Sequence, residues 1–542
     1  MDNEALDDSH LLWLAGIFFV FIFAPKFFNW LSIWIQTGHH KFISVVITSF
    51  VCVVLLAVVF RKLKALREKH IRNKAILGPT HDAVYCGRTA KESVYIKPKQ
   101  RIMHTQIIGT TNAGKTESVI LPWAIQDINQ GRGLLLIDGK ADRSLLEKLW
   151  AYTVMAGRKR DFRLFSLGSL EHSQTFNPLV GGSAEEITER LFNAFTFENQ
   201  FYRSLQYEVL GQILRVFEIA SEVPTFLKLH QAILRPALLE SLCARGNDHA
   251  LMSWIMNFKN LSGTERDLRT SGLTSQISHF AFGRSAPLFN SSEPAINIDE
   301  ALKNNQIVYF QLPVLLSPFL GAATGKLVLQ ALQSAIANRH RSLDRNPKFF
   351  SVFLDDFSEY LYPGFVSVLN KSRSANVGIV FAHQALGDIE SLGDSVANAI
   401  LTNSNLKVLM RGNDPNTAEH FAKTIGTQST VKVTERRKMT FMRNQKTGDV
   451  SAREVEEFVV HPNYFKRDLG VGQAVMIVPH DDGAKTIRIK FDRFPDLLAI
   501  PMPVIAASEV VGLTESLKTG GHQEQSLSEV LDIKQKESTC IH

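Results

Sequence analysis

Cysteine is scarce in this sequence, and its placement excludes two kinds of small cross-linked fold. The 542 residues contain Cys52, Cys86, Cys243 and Cys540, which are far apart and form no Cys-x-x-Cys pair. This spacing encodes neither a zinc site nor a disulfide scaffold and fits a reducing compartment. Charged residues are 21% and hydrophobic residues 45% of the chain, so neither intrinsic disorder nor a many-pass transporter is indicated for its bulk.

Length and net charge set broad limits. A chain of 542 residues exceeds the size at which one hydrophobic core stops growing, so a large domain with at least one smaller module is expected. The net charge of +7 is compatible with polyanionic partners, and equally with the basic cytoplasmic flank of a membrane protein. Net charge alone therefore does not identify a partner.

Long uncharged runs are confined to the N-terminal region. Residues 42–60 carry no charge, and a helix of that length spans about 28 Å, the thickness of one hydrocarbon core. The preceding apolar stretch predicts a second helix over about 11–30, although Pro25 and Lys26 interrupt it. A shorter interfacial helix is the alternative for this stretch. The sequence predicts a two-helix transmembrane hairpin.

Flanking charges orient this hairpin. The residues before the first run are acidic, unlike the basic start of a secretory signal peptide. A basic cluster follows the second run, at Arg61, Lys62, Lys64, Arg67, Lys69, Arg72 and Lys74. The positive-inside rule then places both ends in the cytoplasm. Residues 1–60 are the predicted membrane anchor, and 61–100 a basic juxtamembrane linker and the start of the next domain; its charge indicates lipid contact rather than DNA binding.

A phosphate-binding loop is predicted at GTTNAGKT. It follows a short strand at 104–108 and precedes a helix-compatible segment, which is the order that such a loop requires. Backbone N–H groups and the helix N-terminus surround the phosphates, Lys115 reaches the β and γ oxygens, and Thr116 binds Mg²⁺. The predicted cofactor-binding residues are Gly109, Thr110, Thr111, Asn112, Ala113, Gly114, Lys115 and Thr116.

A second element of the site is a hydrophobic strand that ends in acids, FFSVFLDD at 349–356. Asp355 is the predicted second Mg²⁺ ligand, acting through water, and Asp356 the carboxylate that orients the attacking water. The alternative is a buried strand that ends in two solvated acids. No Asn-Lys-x-Asp or Thr-Lys-x-Asp, by which GTPases recognise guanine, follows a strand, so ATP with Mg²⁺ is the expected cofactor.

Further apolar strands alternate with helical segments at 133–142, 161–167, 306–313, 376–384 and 405–412. The pattern predicts a P-loop (RecA-like) α/β fold with three layers and a mostly parallel sheet. Ligands of such sheets bind at the carboxyl ends of strands, where Gly109, Asp138, Asp355 and Gln384 fall. Gln384 is a predicted catalytic residue that senses the γ-phosphate or its water; a capping role is the alternative.

The strand pattern stops between Pro178 and about Asn290, where amphipathic helices follow one another. The predicted domains are a first nucleotide-binding part at 101–180, an inserted all-α domain at 181–290, a second nucleotide-binding part at 291–505 and a disordered tail at 506–542. After Thr430, a polar stretch precedes EVEEFVVHP and GQAVMIVP…KTIRIKF, which suit an antiparallel hairpin that closes the domain.

Together these motifs resemble the TraD/TraG-type coupling proteins of conjugation and type IV secretion. The likeness rests on GTTNAGKTES, LLLIDGKAD, TFNPL, FLDDF, KSRSANVG and FAHQAL, and spans about Leu11 to Pro495. It implies a homo-hexameric ATPase, two-pass in a bacterial inner membrane, that drives DNA (single-stranded, relaxase-linked) and/or secreted proteins into a type IV secretion channel. The tail would dock an adaptor or relaxase.

The resemblance also implies an arginine supplied by a neighbouring subunit to the γ-phosphoryl group. Arg373 matches the family's candidate, and Arg411 is the second choice. Two positions depart from the family pattern. Asp356 replaces the usual Glu, which retracts the carboxylate by about 1 to 1.5 Å, and Glu359 is the predicted helper. Ala141 replaces a Gly after Lys140, so Lys140 is assigned no role.

Three other interpretations remain open. The chain could be a coupling receptor for protein effectors alone. It could be a membrane receptor that binds nucleotide with little hydrolysis, which Asp356 in place of Glu allows. A chromosome translocase of the FtsK type would have further membrane spans and a C-terminal winged-helix reader, and the sequence shows neither pattern.

Overall fold

The computed structural model describes residues 49–64, 66, 82–197, 199–344, 346–440, 443–497 and 499–504; for 434–452 this covers the backbone only. The chain divides into two compact units, Met1–Gly78 and Pro79–His542. The predicted tail at 506–542 lies outside the described residues.

In the first unit, residues 49–64 form a helix. Its large apolar side chains are exposed, including Phe50, Leu56 and Phe60. The predicted span at 11–30 and the first part of the span at 42–60 lie outside the described residues. Within the residues that are described, no helix is both long and apolar enough to cross a membrane. The transmembrane hairpin therefore stays a prediction.

The frame of the second unit, in its described part, is an 11-stranded sheet in the order β2-β1-β13-β12-β9-β3-β8-β7-β4-β6-β5. Its strands are β1 (Val84–Arg88), β2 (Ser93–Ile96), β3 (Thr105–Ile108), β4 (Gly133–Asp138), β5 (Phe162–Ser166), β6 (Ile307–Gln311), β7 (Phe350–Asp355), β8 (Val377–His383), β9 (Leu406–Leu409), β12 (Gln473–His480) and β13 (Gly483–Phe491). A separate two-stranded ribbon pairs β10 (Thr427–Thr440) with β11 (Arg443–Phe458).

The strands from β9 to β5 in this order all pair in parallel. Every residue of β3, β4, β6, β7, β8 and β9 is buried, so both faces of this part of the sheet are covered. This burial explains why the strands are continuous apolar runs rather than alternating ones. The predicted α/β fold with a mostly parallel sheet is confirmed.

Helices connect the strands. In the sheet region they are Pro98–Arg101, Leu121–Asn129, Arg143–Met155, Ala286–Phe289, Ile298–Asn304, Pro318–Arg341, Phe365–Ser372, Leu386–Glu390, Asp394–Asn403 and Pro415–Ile425. The region predicted to be an all-α insertion consists of helices Ala184–Ala194, Gln200–Ile219, Phe226–Leu234, Pro236–Gly246, His249–Lys259 and Gly263–Ala281. Its buried side chains belong to the same apolar cluster as those of the sheet, so it does not have a core of its own.

Residues 84–96, predicted to lie in the linker and the start of the next domain, form β1 and β2 at the edge of the main sheet. One part of the sequence interpretation was wrong. EVEEF was assigned to the closing hairpin, but it lies in β11, and the preceding polar stretch lies mostly in β10 and β11. The closing hairpin consists of β12 and β13 alone. Charged ribbons without apolar alternation give little strand signal in a sequence.

A buried ion pair fixes the helix that follows the predicted phosphate loop. The Arg101 guanidinium donates two hydrogen bonds of 2.7 Å to the Asp127 carboxylate, and neither side chain is exposed. Arg101 also donates to the Ser351 hydroxyl on β7 at 3.0 Å. Helix Leu121–Asn129 is thereby tied to β7, the strand that carries Asp355. A buried, bidentate pair of this kind fixes geometry more reliably than it adds stability.

Candidate nucleotide site

The loop Gly109–Thr116 connects β3 to a π-helical turn at Thr116–Ile120 that continues into helix Leu121–Asn129. Two of its residues have left-handed backbones, Asn112 at φ 64° and Gly114 at φ 96°. Its backbone is held from outside: Gly109 N–H donates to the His383 carbonyl at 3.3 Å, and Thr110 N–H donates to the Arg411 carbonyl at 2.9 Å. The carboxyl ends of β8 and β9 thus frame the loop.

Lys115 lies inside this loop and is 6% exposed. Its Nζ donates to the Gly109 carbonyl at 2.7 Å and to the Thr110 carbonyl at 3.3 Å. Burial lowers the pKa of Lys115, against the opposing charges of carboxylates that include Asp355. A buried ammonium whose hydrogen bonds go to neutral carbonyls is poised for an anionic ligand.

Thr116 and Asp355, the two predicted Mg²⁺ ligands, are in direct contact. The Thr116 hydroxyl donates to Asp355 Oδ2 at 2.6 Å. Burial, together with the charge of Asp356, raises the pKa of Asp355 to about 6 despite this hydrogen bond. A nearby cation would lower that pKa again, because it favours the ionised carboxylate. Two oxygen ligands in contact, one of them a buried carboxylate, fit Mg²⁺.

Asp356 follows Asp355 in a left-handed conformation, with φ 48°. The Asp356 N–H donates to Asp355 Oδ1 at 3.1 Å. The Lys140 ammonium lies 2.8 Å from the Asp356 carboxylate. Burial would lower the pKa of Lys140, but the hydrogen bond and charge of Asp356 outweigh it and raise that pKa. The structure thus gives Lys140 a partner that the sequence did not assign.

We expect Lys140→Ala to shift the acid limb of the pH–rate profile for ATP hydrolysis to higher pH, by about half a pH unit. Lys140 lowers the pKa of Asp355, so its loss keeps Asp355 protonated to a higher pH and weakens Mg²⁺ binding. The Lys140 side chain is 55% exposed, so salt should diminish the effect. The measurement is kcat/KM against pH at low ionic strength. Lys140→Arg keeps the charge and should leave the limb in place; an unchanged limb in Lys140→Ala would contradict this role.

Asp138, at the carboxyl end of β4, shapes the loop that carries Lys140. Its carboxylate accepts the N–H groups of Lys140 at 2.9 Å, Ala141 at 3.1 Å and Asp142 at 2.6 Å. Tyr309 donates a fourth hydrogen bond, at 2.8 Å. Ala141 has φ 58°, a conformation that glycine adopts without strain, which explains the Gly of the family pattern at this position. Asp138 thus acts on the site through Lys140.

Gln384 directly follows β8 and is exposed. Its N–H donates to Asp388 Oδ2 at 2.7 Å, and the Ala385 N–H donates to the same oxygen at 3.1 Å. Burial would raise the pKa of Asp388, but these N–H groups and His383 lower it to about 2. Asp388 is one of the charges that act on Lys115. The sequence predicted Gln384 at this edge and missed Asp388, which fixes its backbone.

Arg373 does not lie with these residues. It ends helix Phe365–Ser372, four residues before β8, and is exposed. Its charge acts on buried His104, just before β3, whose pKa is lowered to about 4 mainly by burial. Arg373 is therefore at the amino end of the strands, opposite to the phosphate loop. Arg411 follows β9 and contacts the loop of its own chain through its carbonyl.

The structure brings together the loop Gly109–Thr116, Asp355, Asp356 and the Gln384 backbone at one edge of the sheet, and it leaves Arg373 outside. Glu359, a predicted helper, is exposed, and its N–H donates to the Asp356 carbonyl at 3.1 Å. Sequence reasoning also missed a buried polar row formed by Lys407, Gln106 and His383. The only sequence signal for this row is the presence of polar residues inside apolar strands.

The sheet order and the strand–loop–helix at Gly109–Thr116 define the class: a protein with the P-loop, RecA-like α/β fold. In fold the chain is similar to the bacterial conjugative coupling protein TrwB, with a TM-score of 0.56 at 14% identity over 76% of this chain and 90% of that chain. TrwB in complex with a non-hydrolysable ATP analogue gives a TM-score of 0.55 at 14% identity, covering 78% and 94%.

The sequence comparisons name a family. A family model described as the TraM recognition site of TraD and TraG matches residues 350–467. The type 4 coupling protein DotL of Legionella pneumophila is 21% identical over 409 residues, which cover 64% of this chain and 52% of that protein. The chain thus spans about half the length of this relative. In sequence and fold it resembles type IV coupling proteins, which confirms the resemblance predicted from its motifs.

Proposed function

We propose that this protein is a membrane-anchored coupling ATPase that recruits DNA and/or protein substrates and drives them into a type IV secretion channel. The observation that carries the proposal is the convergence of Lys115, Thr116 and Asp355 at the carboxyl edge of a P-loop sheet. Thr116 follows the loop after β3 and Asp355 ends β7, yet the Thr116 hydroxyl and the Asp355 carboxylate are 2.6 Å apart. Chance would rarely assemble this pair beside a buried lysine.

ATP with Mg²⁺ is the proposed cofactor. The loop N–H groups and Lys115 would hold the phosphates, and Thr116 and Asp355 would hold the metal ion, which supplies charge neutralisation when bound. TrwB structures contain ADP with Mg²⁺ and non-hydrolysable analogues of both ATP and GTP. These complexes support a nucleotide site in this fold.

In this proposal the residues of the chain divide the work of hydrolysis. Asp356, oriented by Lys140, accepts a proton from the attacking water. Gln384 orients that water or the γ-phosphate from the end of β8, and the Asp388 carboxylate fixes its backbone. Lys115 stabilises negative charge that develops on the phosphoryl oxygens. Each of these groups acts from the same edge of the sheet, so one bound nucleotide can meet them all.

The membrane anchor, the cargo and the oligomer are the finer parts of the proposal. A two-pass anchor in a bacterial inner membrane is supported by the uncharged run at 42–60 and the basic cluster that follows it. Single-stranded, relaxase-linked DNA and secreted proteins are the proposed cargo, as the resemblance to coupling proteins implies. The family model that matches residues 350–467 is described as a TraM recognition site, which supports a protein partner for this region. A homo-hexamer would place Arg373 of one subunit at the site of the next.

Arg373→Ala and Lys115→Ala subunits, each inactive alone, should regain about a quarter of wild-type ATP hydrolysis when mixed in equal amounts. In a ring, a site needs Lys115 from one subunit and Arg373 from its neighbour, and random mixing makes about one pair in four complete. Strand β8 has 7 residues and separates Arg373 from Gln384 by about 20 Å, which supports action of Arg373 on the site of a neighbouring subunit.

The matched control for this mixing experiment is Arg411→Ala, the second candidate. If Arg411 supplied the charge instead, Arg373→Ala would be active alone, and Arg411→Ala would be the variant that is inactive alone and regains activity when mixed with Lys115→Ala. No recovery in either mixture, from variants that still assemble with wild type, would contradict an arginine supplied in trans.

The overall function is tested by steady-state ATP hydrolysis of the full chain in detergent, with and without single-stranded DNA and with a polyanion such as heparin as control. Stimulation by DNA alone would support a motor for nucleic acid. Hydrolysis that DNA does not change would favour protein substrates. Nucleotide binding with no hydrolysis under any condition would contradict the motor.

The rival function is a receptor that binds nucleotide with little hydrolysis. Its specific support is the contact of 2.8 Å between Lys140 and the short Asp356 carboxylate, which competes with a water for the same oxygens. Asp356→Glu, which restores the family's side chain, decides between the two. A large gain in turnover would favour the slow receptor, and little change would favour the motor.

A further inference from the structure

A row of buried polar side chains crosses three adjacent strands of the parallel sheet, β9, β3 and β8. Lys407 Nζ donates to Gln106 Oε1 at 3.0 Å, and the Gln106 Nε2 lies 2.9 Å from His383 Nε2. His383 Nδ1 lies 2.8 Å from the Ala385 carbonyl. Lys407 is 7% exposed, Gln106 is fully buried and His383 is 1% exposed. The proposed chemistry of the nucleotide site uses none of these side chains.

The Lys407 ammonium, at one end of the row, determines how the side-chain amide of Gln106 is oriented. Lys407 also donates to the carbonyls of Leu401 at 3.0 Å and Ser404 at 2.9 Å, so in the described part of the chain its hydrogen-bond acceptors are neutral oxygens. Burial lowers its pKa to about 8, and at neutral pH it still carries its proton. Because an ammonium only donates, the Gln106 oxygen must face Lys407, and the amide NH₂ must face His383.

The orientation of the Gln106 amide in turn determines which ring nitrogen of His383 carries the proton. The NH₂ of Gln106 donates, so His383 Nε2 must accept and cannot carry a proton. The Ala385 carbonyl accepts, so the ring proton is on Nδ1. A protonated Nε2 would face the NH₂ group with two donors opposed, which opposes the imidazolium form. The groups around this row that carry or acquire charge are Asp388, 3.8 Å from His383, and His420, whose pKa Lys407 helps to lower.

His383 is joined to both sides of the nucleotide site. Its carbonyl accepts the Gly109 N–H at the start of the phosphate loop. Its ring binds the Ala385 carbonyl, in the same short segment whose N–H groups, at Gln384 and Ala385, bind Asp388. If the ring carried its proton on Nε2 instead of Nδ1, the Nδ1 lone pair would face the Ala385 carbonyl oxygen. An attractive contact would then become a repulsive one, and this segment would shift.

We propose that Lys407 and Gln106 are positioning residues: they hold His383 as a neutral imidazole with its proton on Nδ1, and through it they hold the segment that presents Gln384 to the nucleotide. The second half of this inference rests on the proposed function, and the first half does not. Burying a lysine ammonium that has no carboxylate partner costs free energy of folding. Because an ammonium only donates hydrogen bonds, it is well suited to orient an amide.

The test uses the full chain, labelled with ¹⁵N-histidine and purified in detergent. The His383 signals are identified by their loss in His383→Gln, and their chemical shifts report which ring nitrogen carries a proton. In wild type we expect one neutral tautomer, protonated on Nδ1. In Gln106→Glu both oxygens accept, so His383 should be protonated on both nitrogens at neutral pH. In Lys407→Met the amide is released, and a mixture of tautomers should appear.

Two controls separate positioning from a purely structural role. Lys407→Arg keeps a donor-only cation and should restore the Nδ1 tautomer. If Lys407→Met unfolds, Gln106→Glu still decides, because it keeps the volume of the side chain and places the added negative charge beside the Lys407 ammonium. An unchanged His383 signature in Gln106→Glu, or in folded Lys407→Met, would overturn the proposal.

Hydrolysis gives the second readout. If Gln384 acts on the γ-phosphate, Lys407→Met should lower kcat by about tenfold with little change in KM, because it releases the His383 tautomer while nucleotide binding is held by other residues. Gln106→Glu keeps the Nδ1 proton and its bond to the Ala385 carbonyl, so it should lower kcat less. A fall in KM and kcat together would contradict a positioning role. Absence of ATP hydrolysis in wild type would sink the proposed function, while the tautomer measurement would still decide the first half of this inference.

Discussion

Lys115→Ala should reduce ATP hydrolysis by at least about 10²- to 10³-fold, because it removes the cation nearest to the proposed β- and γ-phosphate position. Without nucleotide, the same change should cost little stability. Burial lowers the pKa of Lys115, which means that the fold disfavours its charged form, and its hydrogen bonds go only to loop carbonyls. The measurement combines steady-state hydrolysis with thermal unfolding in the presence and absence of Mg-ATP.

The two readouts distinguish loss of the site from loss of the fold. In Lys115→Ala the midpoint of unfolding without nucleotide should match wild type, and the upward shift caused by Mg-ATP should disappear. Lys303→Ala is the matched control, since Lys303 is an exposed lysine paired only with Asp299 on its own helix. A Lys115→Ala protein that retains its nucleotide-induced shift and its turnover would contradict the assignment of the phosphate loop.

Asp355→Asn should stabilise the nucleotide-free protein at neutral pH and abolish Mg²⁺-dependent hydrolysis. The pKa of Asp355 is about 6 in the folded chain, above its ordinary value of 3.8, so ionisation of this buried group opposes folding. The neutral amide avoids this cost. It also loses one of the two acceptor oxygens that bind Thr116 and the Asp356 N–H, so the expected gain is about 1 to 2 kcal/mol in the free energy of unfolding.

The sign of the pH dependence follows from the raised pKa. At pH below the ordinary value, Asp355 is neutral in both the folded and the unfolded chain, and wild type and Asp355→Asn should be equally affected by pH. As pH rises from about 4 to about 6, the unfolded chain ionises first, and wild type loses stability relative to the variant. Above about pH 6 the difference is constant. Denaturant unfolding at pH 4, 5, 6 and 7 measures it.

A wild type more stable than Asp355→Asn at pH 7 would contradict the interpretation that burial raises this pKa. Ser351→Ala on the same strand is a control for general disturbance of β7: its hydroxyl donates to Asp127 at 2.6 Å, so that variant should lose stability at every pH tested. Together, Lys115→Ala and Asp355→Asn test the two sides of the site: the first should leave the stability of the apo protein unchanged, the second should raise it, and both should lose turnover.

The sequence was sufficient for the elements whose signal is local. The strands β3 to β9 were predicted to within a few residues, because buried parallel strands are apolar runs bounded by turn residues. The phosphate loop was found for the same reason: glycines, lysine and threonine at fixed spacing fulfil a backbone requirement within eight consecutive residues. Carboxyl ends of parallel strands share one edge, so Asp355 and Gln384 could be placed beside that loop before any coordinates.

The features that the sequence did not predict depend on contacts between residues that are distant in sequence. Lys140 and Asp356 are 216 positions apart, and Gln106 and His383 are 277 apart, so no spacing rule joins them. The ribbon of β10 and β11 was missed because its cross-strand pairing, rather than an apolar pattern, defines it.

Arg373 shows most clearly what the sequence determines and what only the tertiary structure decides. The sequence could name it as a candidate through resemblance, but only the tertiary structure decides that it stands at the amino end of β8, away from its own phosphate loop. The sequence by itself determined the P-loop fold and the chemistry at one sheet edge, because those follow from local backbone geometry. Which side chains orient that chemistry was decided by the tertiary structure, because hydrogen bonds form according to distance in space and not along the chain.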